Sequence, residues 1–214
     1  MKVVEVLLSH GANVNDKTTD YGFSSLLVAS FKGHVEVVKL LLSHGAPVKC
    51  NANDDVNNYS LYWASRNGFL EIVQLLLSNG ADVNDKISDN CSSSLYAASL
   101  NGHVSVVKML LSNGANANDK SNIDGVSSLF MASYNGHVEV VELLLFYGAN
   151  VNDRPRGGYF DGVFDGAISA TSNIKIRYTL CKWPITMAIS ILKELSVTDV
   201  DILMDFYEYL GDIN

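Results

Sequence analysis

Three histidines follow a glycine at matching places in the chain: His34, His103 and His137. Recurrent histidine raises metal ligation as the first chemistry to test. A metal site needs ligands that converge on one point, and residues repeated along a stack of units do not converge. Structural use is expected, with each ring bonded to backbone between helices. His10 and His44 occupy end-of-helix positions, where partial positive charge suits the helix C-terminus. The carboxylates Asp16, Asp85, Asp119 and Asp153 also recur. A glycosidase pair must face across about 10 Å, and carboxylates spaced along one edge have no facing partner. Asp161 and Asp165 lie in a glycine-rich stretch but lack the twelve-residue ligand pattern of a calcium loop. Phe160-Asp161-Gly162 inverts the order of the kinase Asp-Phe-Gly. No phosphate-binding glycine loop and no Gly-x-Ser-x-Gly elbow occur. Cys50, Cys91 and Cys181 form no CxxC pair, and Cys91, on a turn with nothing basic beside it, reads as a plain thiol. The expectation is no catalytic residue, no cofactor and no metal.

Composition narrows the class further. The 214 residues are 48% apolar and 18% charged, too apolar for a disordered chain. The net charge of −8 argues against nucleic acid, which wants clustered Lys and Arg. No apolar run approaches the roughly 20 residues that span a bilayer, and Met1 to Glu5 is no secretory start. A cytoplasmic, intracellular protein with no membrane association is expected.

What would position any functional side chain is a repeat. Gly-Ala pairs begin at Gly11, Gly45, Gly80, Gly114 and Gly148, in steps of 34, 35, 34 and 34 residues. A second glycine recurs at Gly33, Gly68, Gly102 and Gly136. Between them stand near-copies: HVEVVKLLLSHGA, FLEIVQLLLSNGA, HVSVVKMLLSNGA and HVEVVELLLFYGA. Val37, Val38, Leu40, Leu41 and Leu42 make a helix apolar over more than half its circumference, so it must be covered on two sides. A shorter helix precedes each, carrying Leu26 and Ala29, Leu61 and Ala64, Leu95 and Ala98, Leu129 and Ala132. The small pairs Ala29-Ser30, Ala64-Ser65, Ala98-Ser99 and Ala132-Ser133 allow close helix approach. Polar stretches between units read as extended turns. No unit buries its apolar face alone, so neighbours must stack.

These units resemble ankyrin repeats, with their G-x-T-P-L-H-x-A-A, G-H-x-x-V-V-x-L-L-L and G-A-x-V-N signatures. Gly33-His34, Gly102-His103 and Gly136-His137 match, Phe69 stands in the third copy, and Asn15, Asn84, Asn118 and Asn152 close the repeats. The resemblance covers about residues 1–152 and implies an all-α, ankyrin-type helical solenoid of stacked helix-turn-helix repeats with short β-turn or hairpin connections. The Thr-Pro-Leu-His stretch departs from the family. It reads Ser24-Ser25-Leu26-Leu27, Tyr59-Ser60-Leu61-Tyr62, Ser93-Ser94-Leu95-Tyr96 and Ser127-Ser128-Leu129-Phe130. Ser is expected to cap these helices in place of the missing Pro. Leu27, Tyr62, Tyr96 and Phe130, at the histidine position, should stack as an apolar ladder.

The expected organisation is a partial first repeat, second helix only, over 1–15 and four full repeats over 16–152. A glycine-rich insert with a hairpin follows over 153–183, and a degenerate terminal repeat or helical cap over 184–214. The opening half-repeat exposes Val and Leu. Either the chain is a piece of a longer array, which is favoured, or that edge packs on another chain; otherwise a monomer is expected.

In an ankyrin array the resemblance places turn tips and first helices on one concave face. Shared positions hold the fold, and positions that differ between copies carry recognition. Those positions are Tyr21, Phe23, Asn58, Ser92, Asp124 and Val126 on the turns. After the Ala-Ser pairs they are Phe31, Lys32, Arg66, Asn67, Leu100, Asn101, Tyr134 and Asn135. Aromatic and Arg side chains are the usual hot-spot types. Asp20, Asp54, Asp55, Asp89 and Asp124 favour a basic or amphipathic peptide, partly offset by Lys17, Lys86 and Lys120. A non-enzymatic protein-interaction scaffold is expected. Two alternatives stay open: an adaptor using 154–214 for a second partner, and the targeting part of a larger enzyme.

Overall fold

A computed structural model of the chain describes residues 1–20, 22–48, 59–87, 92–121 and 125–151. The expected insert over 153–183 and terminal unit over 184–214 lie outside the described residues, as do Cys50, Cys91, Cys181 and Asn152.

Among the described residues the structure has nine α-helices and no extended strand. They are α1 (Lys2–Ser9), α2 (Ser25–Lys32), α3 (Val35–Ser43), α4 (Ser60–Arg66), α5 (Leu70–Ser78), α6 (Ser94–Leu100), α7 (Val104–Ser112), α8 (Ser128–Tyr134) and α9 (Val138–Phe146). None reaches the ~12–15 residues at which an isolated helix persists in water, so packing must hold them. Each first helix packs on its own second helix, as α2 on α3 and α8 on α9. First helices stack in the row α2, α4, α6, α8, and second helices in the row α3, α5, α7, α9. The core runs between the rows, through Leu26, Val38, Ile72, Leu76, Leu95, Leu110, Leu129 and Leu144, each no more than 1% exposed. Alanines 64, 98 and 132 are fully buried and give the close approach expected of the Ala-Ser pairs. In α1 no residue is buried, and Val3, Val6 and Leu7 are 72%, 55% and 54% exposed.

Local chemistry sets the helix ends. The Ser24, Ser93 and Ser127 hydroxyls accept from the backbone N–H of Leu27, Tyr96 and Phe130 at 3.1, 3.2 and 3.2 Å. The second full unit departs from that pattern. Its cap position holds Tyr59, whose side chain accepts no capping bond. At the far end of the second helices the rings of His10 and His44 donate through Nδ1 to Val6 O and Leu40 O at 2.8 and 2.9 Å. Asn79 and Asn113 donate through Nδ2 to Leu75 O and Met109 O, both at 2.8 Å. Either side chain adds a further donor to a last-turn carbonyl that already accepts from the backbone N–H of the same residue.

Three of the connections carry an antiparallel bridge, pairing Lys17 with Ser24, Lys86 with Ser93 and Lys120 with Ser127. Adjacent units are also tied through their closing asparagines. The Asn84 carboxamide donates to Gly114 O at 3.2 Å and accepts from Asn116 N–H at 2.9 Å. Asn118 makes the same pair with Gly148 O and Asn150 N–H, at 2.9 and 2.7 Å. Pro47 occupies the position of Asn116 and Asn150, and having no N–H it cannot close that bond to Asn15. Lys86 adds a further tie, pairing with Asp119 and donating to Lys120 O at 3.2 Å. On the second-helix row, Glu71 and Glu36 bond to Lys39 and hold its ammonium above the usual lysine value. That pairing is exposed and contributes little to stability.

Candidate functional site

The recurrent histidines are built into the stack. His103 Nε2 donates to Arg66 O at 2.9 Å, and His137 Nε2 donates to Leu100 O at 3.1 Å. Each ring lies flat over the preceding unit's loop glycine. A Cβ on Gly68 would stand 2.6 Å from His103 Nδ1, and one on Gly102 would stand 2.6 Å from His137 Nδ1. Phe69 covers Gly33 in the same manner but has no donor. Asn67 supplies it instead, donating from Nδ2 to Phe31 O at 3.1 Å. These rings therefore join units, and their bonding nitrogens are engaged. Among the described residues no three of His, Cys, Asp and Glu converge as metal ligands would.

A different cluster forms on the first-helix side. Phe23 precedes the cap of α2, and Val28 stands one turn inside that helix. This is the N′–N4 pairing that fixes the entry of chain into a helix. Both remain open to solvent, at 39% and 41%. Trp63 of α4 meets Phe31 of α2 edge-on, with ring centroids 5.3 Å apart at 89°. It meets Tyr62 the same way, at 5.4 Å and 88°. Phe23, Leu27, Val28, Phe31, Tyr59, Trp63 and Ile87 line a cavity of about 400 Å³. Lys32 Nζ stands 5.2 Å from the Phe31 ring centroid and Arg66 Cζ 5.4 Å from that of Trp63. Both are cation–π distances. Arg66 also donates from Nη1 to the Tyr62 hydroxyl at 3.5 Å.

A family model for ankyrin repeats in three copies matches residues 1–87 and 61–155. The chain belongs to the ankyrin repeat family. No curated protein matches it significantly. Ankyrin repeats are generally protein–protein interaction modules, typically without enzymatic activity. No helix among the described residues of this ankyrin array is long and apolar enough to cross a membrane.

The sites expected from variable positions separate in the ankyrin fold. Phe23, Phe31, Lys32, Arg66 and Tyr134 are exposed, and Leu100 is half-buried. Phe23, Phe31, Lys32 and Arg66 come together at the cavity. Val126 is corrected: it is 2% exposed and packs in a cluster with Phe130 and Met131, its own N′–N4 pair. Ser92 is corrected likewise, at 2% exposed, with its carbonyl accepting from Ile87 N–H at 3.2 Å. The carboxamides of Asn67 and Asn135 are spent on the preceding unit, the latter donating to Leu100 O at 3.1 Å. Asn101 donates to Ala97 O of its own helix at 2.8 Å. These three work as helix-end donors. Tyr21, Asn58 and Asp124 lie outside the described residues, as do Asp54, Asp55 and Asp89.

Val28 and Trp63 were not among the expected site residues. A signal for them exists in the chain, because the column Val28, Trp63, Ala97, Met131 differs in every copy. Its middle-of-helix place disguises it as core. In the last two copies it is core, with Ala97 and Met131 at 0% and 8% exposure.

Proposed function

We propose that this ankyrin array is a non-enzymatic module that binds a protein or peptide on its first-helix face, as a monomer in the cytoplasm. The observation that carries this reading is the apolar and cationic cluster of exposed Phe23, Val28, Phe31, Lys32 and Arg66 with half-buried Trp63 around one cavity. Hot spots favour such side chains in preformed pockets. The cluster stands on two helices whose backbones are fixed by core packing, so little conformational entropy is lost on binding.

The test is a quantitative pull-down from cell lysate with the full chain. Arg66→Ala with Tyr134→Ala should lower capture of the bound protein about tenfold or more, since hot-spot truncations cost about 2 kcal/mol or above. Helical content by circular dichroism should stay unchanged, because both side chains are exposed. Unchanged capture would refute the first-helix face as the binding surface.

A further inference from the structure

We propose that the cavity between α2 and α4 takes the bulky apolar side chains of an acidic amphipathic peptide, whose Asp or Glu beside those anchors pairs with Lys32 and Arg66. This deepens the first-helix reading and rests on it.

Shape supplies the first half. At about 400 Å³ the cavity falls within the ~300–1,000 Å³ of typical ligand pockets, and its lining side chains are aromatic and aliphatic. Leu27, 4% exposed, forms part of the wall on the core side, while Phe23, Val28 and Phe31 stay about two-fifths exposed around it. Edge-on packing of Phe31 against Trp63 holds two faces of the wall at a set angle. Bulky side chains entering here cover aromatic surface already ordered in the free protein.

Charge supplies the second half. The chain carries −8 overall, yet α2, α4, α6 and α8 contain no Asp or Glu. Their cations are Lys32 and Arg66, and both flank this cavity. The described helix carboxylates are Glu5 on α1 and Glu36, Glu71, Glu139 and Glu142 on the second-helix row. Asp20 on the first hairpin is exposed, and its Oδ1 accepts from the Thr19 hydroxyl. Screening confines exposed charges to about 8 Å at physiological salt, so a bound peptide meets the adjacent cations rather than the net charge. The Arg66 guanidinium presents a planar fork suited to a carboxylate. This local field opposes the basic preference that the acidic turn tips suggest. Further along the face the equivalent positions Leu100 and Tyr134 are neutral, so the acidic preference belongs to the α2–α4 end.

The experiment pans a random 16-residue peptide library against the full chain. The expected consensus has bulky apolar residues, at i and i+3 or i+4 if the peptide is helical, with Asp or Glu next to them. A fluorescent copy of one enriched peptide should bind about tenfold more weakly to Phe31→Ala, as for a hot-spot truncation. Lys32→Glu with Arg66→Glu should shift the panned consensus from acidic to basic flanks. These positions are solvent-exposed, and unchanged circular dichroism will show that the variants fold. Basic consensus peptides, no enrichment, or insensitivity to Phe31→Ala and the charge reversal would each overturn the proposal. Peptides lost with Leu100→Ala and Tyr134→Ala but kept by Phe31→Ala would overturn it while leaving the first-helix face intact. Peptides lost with none of these variants would overturn both.

Discussion

Gly102→Ala destabilises the array by about 3–6 kcal/mol, while Gly114→Ala, the same exchange, costs about 1–2 kcal/mol. Both glycines have positive φ, 72° and 87°, so both variants carry the ~1–2 kcal/mol strain of a left-handed non-glycine residue. They differ in what the new methyl group meets. At Gly114 there is nothing within 4 Å. At Gly102 the Cβ lands 2.6 Å from His137 Nδ1, with ring carbons at 2.7 and 2.9 Å. The ring must move, and overpacking of that kind costs about 1–3 kcal/mol. Its hydrogen bond to Leu100 O weakens as well, adding about 1 kcal/mol. Urea denaturation followed by helical signal measures both variants. Adding His137→Ala to Gly102→Ala should recover part of the loss, since the two residues touch. Equal costs at the two glycines would show that the ring-on-glycine contact does not join the units.

The second large effect has the opposite sign. Ser30, Ser65, Ser99 and Ser133 are each 0% exposed, and their hydroxyls have no hydrogen-bond partner. A buried unsatisfied hydroxyl costs about 1–3 kcal/mol, and Ala is the stronger helix former by roughly half a kcal/mol. Replacing all four Ser by Ala removes one oxygen per unit without opening a space for a larger group. The sites are one repeat apart, so the gains should nearly add. At the low end of these terms, about 1.5 kcal/mol per site, about 6 kcal/mol in total is expected, raising Tm by roughly 12–24 °C for a chain of this length. Thermal denaturation of the quadruple variant checks this. A lower Tm would mean that these hydroxyls are satisfied in solution.

The repeat architecture was legible because one local grammar is written several times. Loop glycines, apolar second helices and Ala-Ser pairs recur at a fixed step, and each has one physical reading. Burial at the histidine position was legible for the same reason: Leu27, Tyr62 and Phe130 are 4%, 4% and 1% exposed, and Tyr96 is half-buried. The site was legible only in part. Comparing copies finds positions released from the fold, but it does not say where a released side chain points. Phe23, Ser92 and Val126 share one column. The structure leaves Phe23 open beside Val28, and packs Val126 with Met131. Whether the side chain is covered depends on what packs against it, and that is a pairwise property no single column displays. Trp63 was missed for the converse reason. Its column looks like core because small Ala97 fits there, while the large indole is forced toward the cavity. Asn67 and Asn135 looked like recognition residues because Lys32 replaces them in one copy. Their carbonyl partners lie 35 or 36 residues earlier, on the preceding unit, beyond what sequence neighbours reveal.

Site-specific photo-crosslinking of the full chain in cell lysate tests the central claim most directly. A benzophenone side chain would replace Phe31 or Tyr134 on the first-helix row, and Lys108 or Glu142 on the second-helix row. All four positions are exposed, so each reports on what approaches it. A first-helix binding face predicts covalent adducts with the same protein from positions 31 and 134 and none from 108 and 142. Adducts from 108 or 142 alone would place the partner on the opposite row and contradict the account.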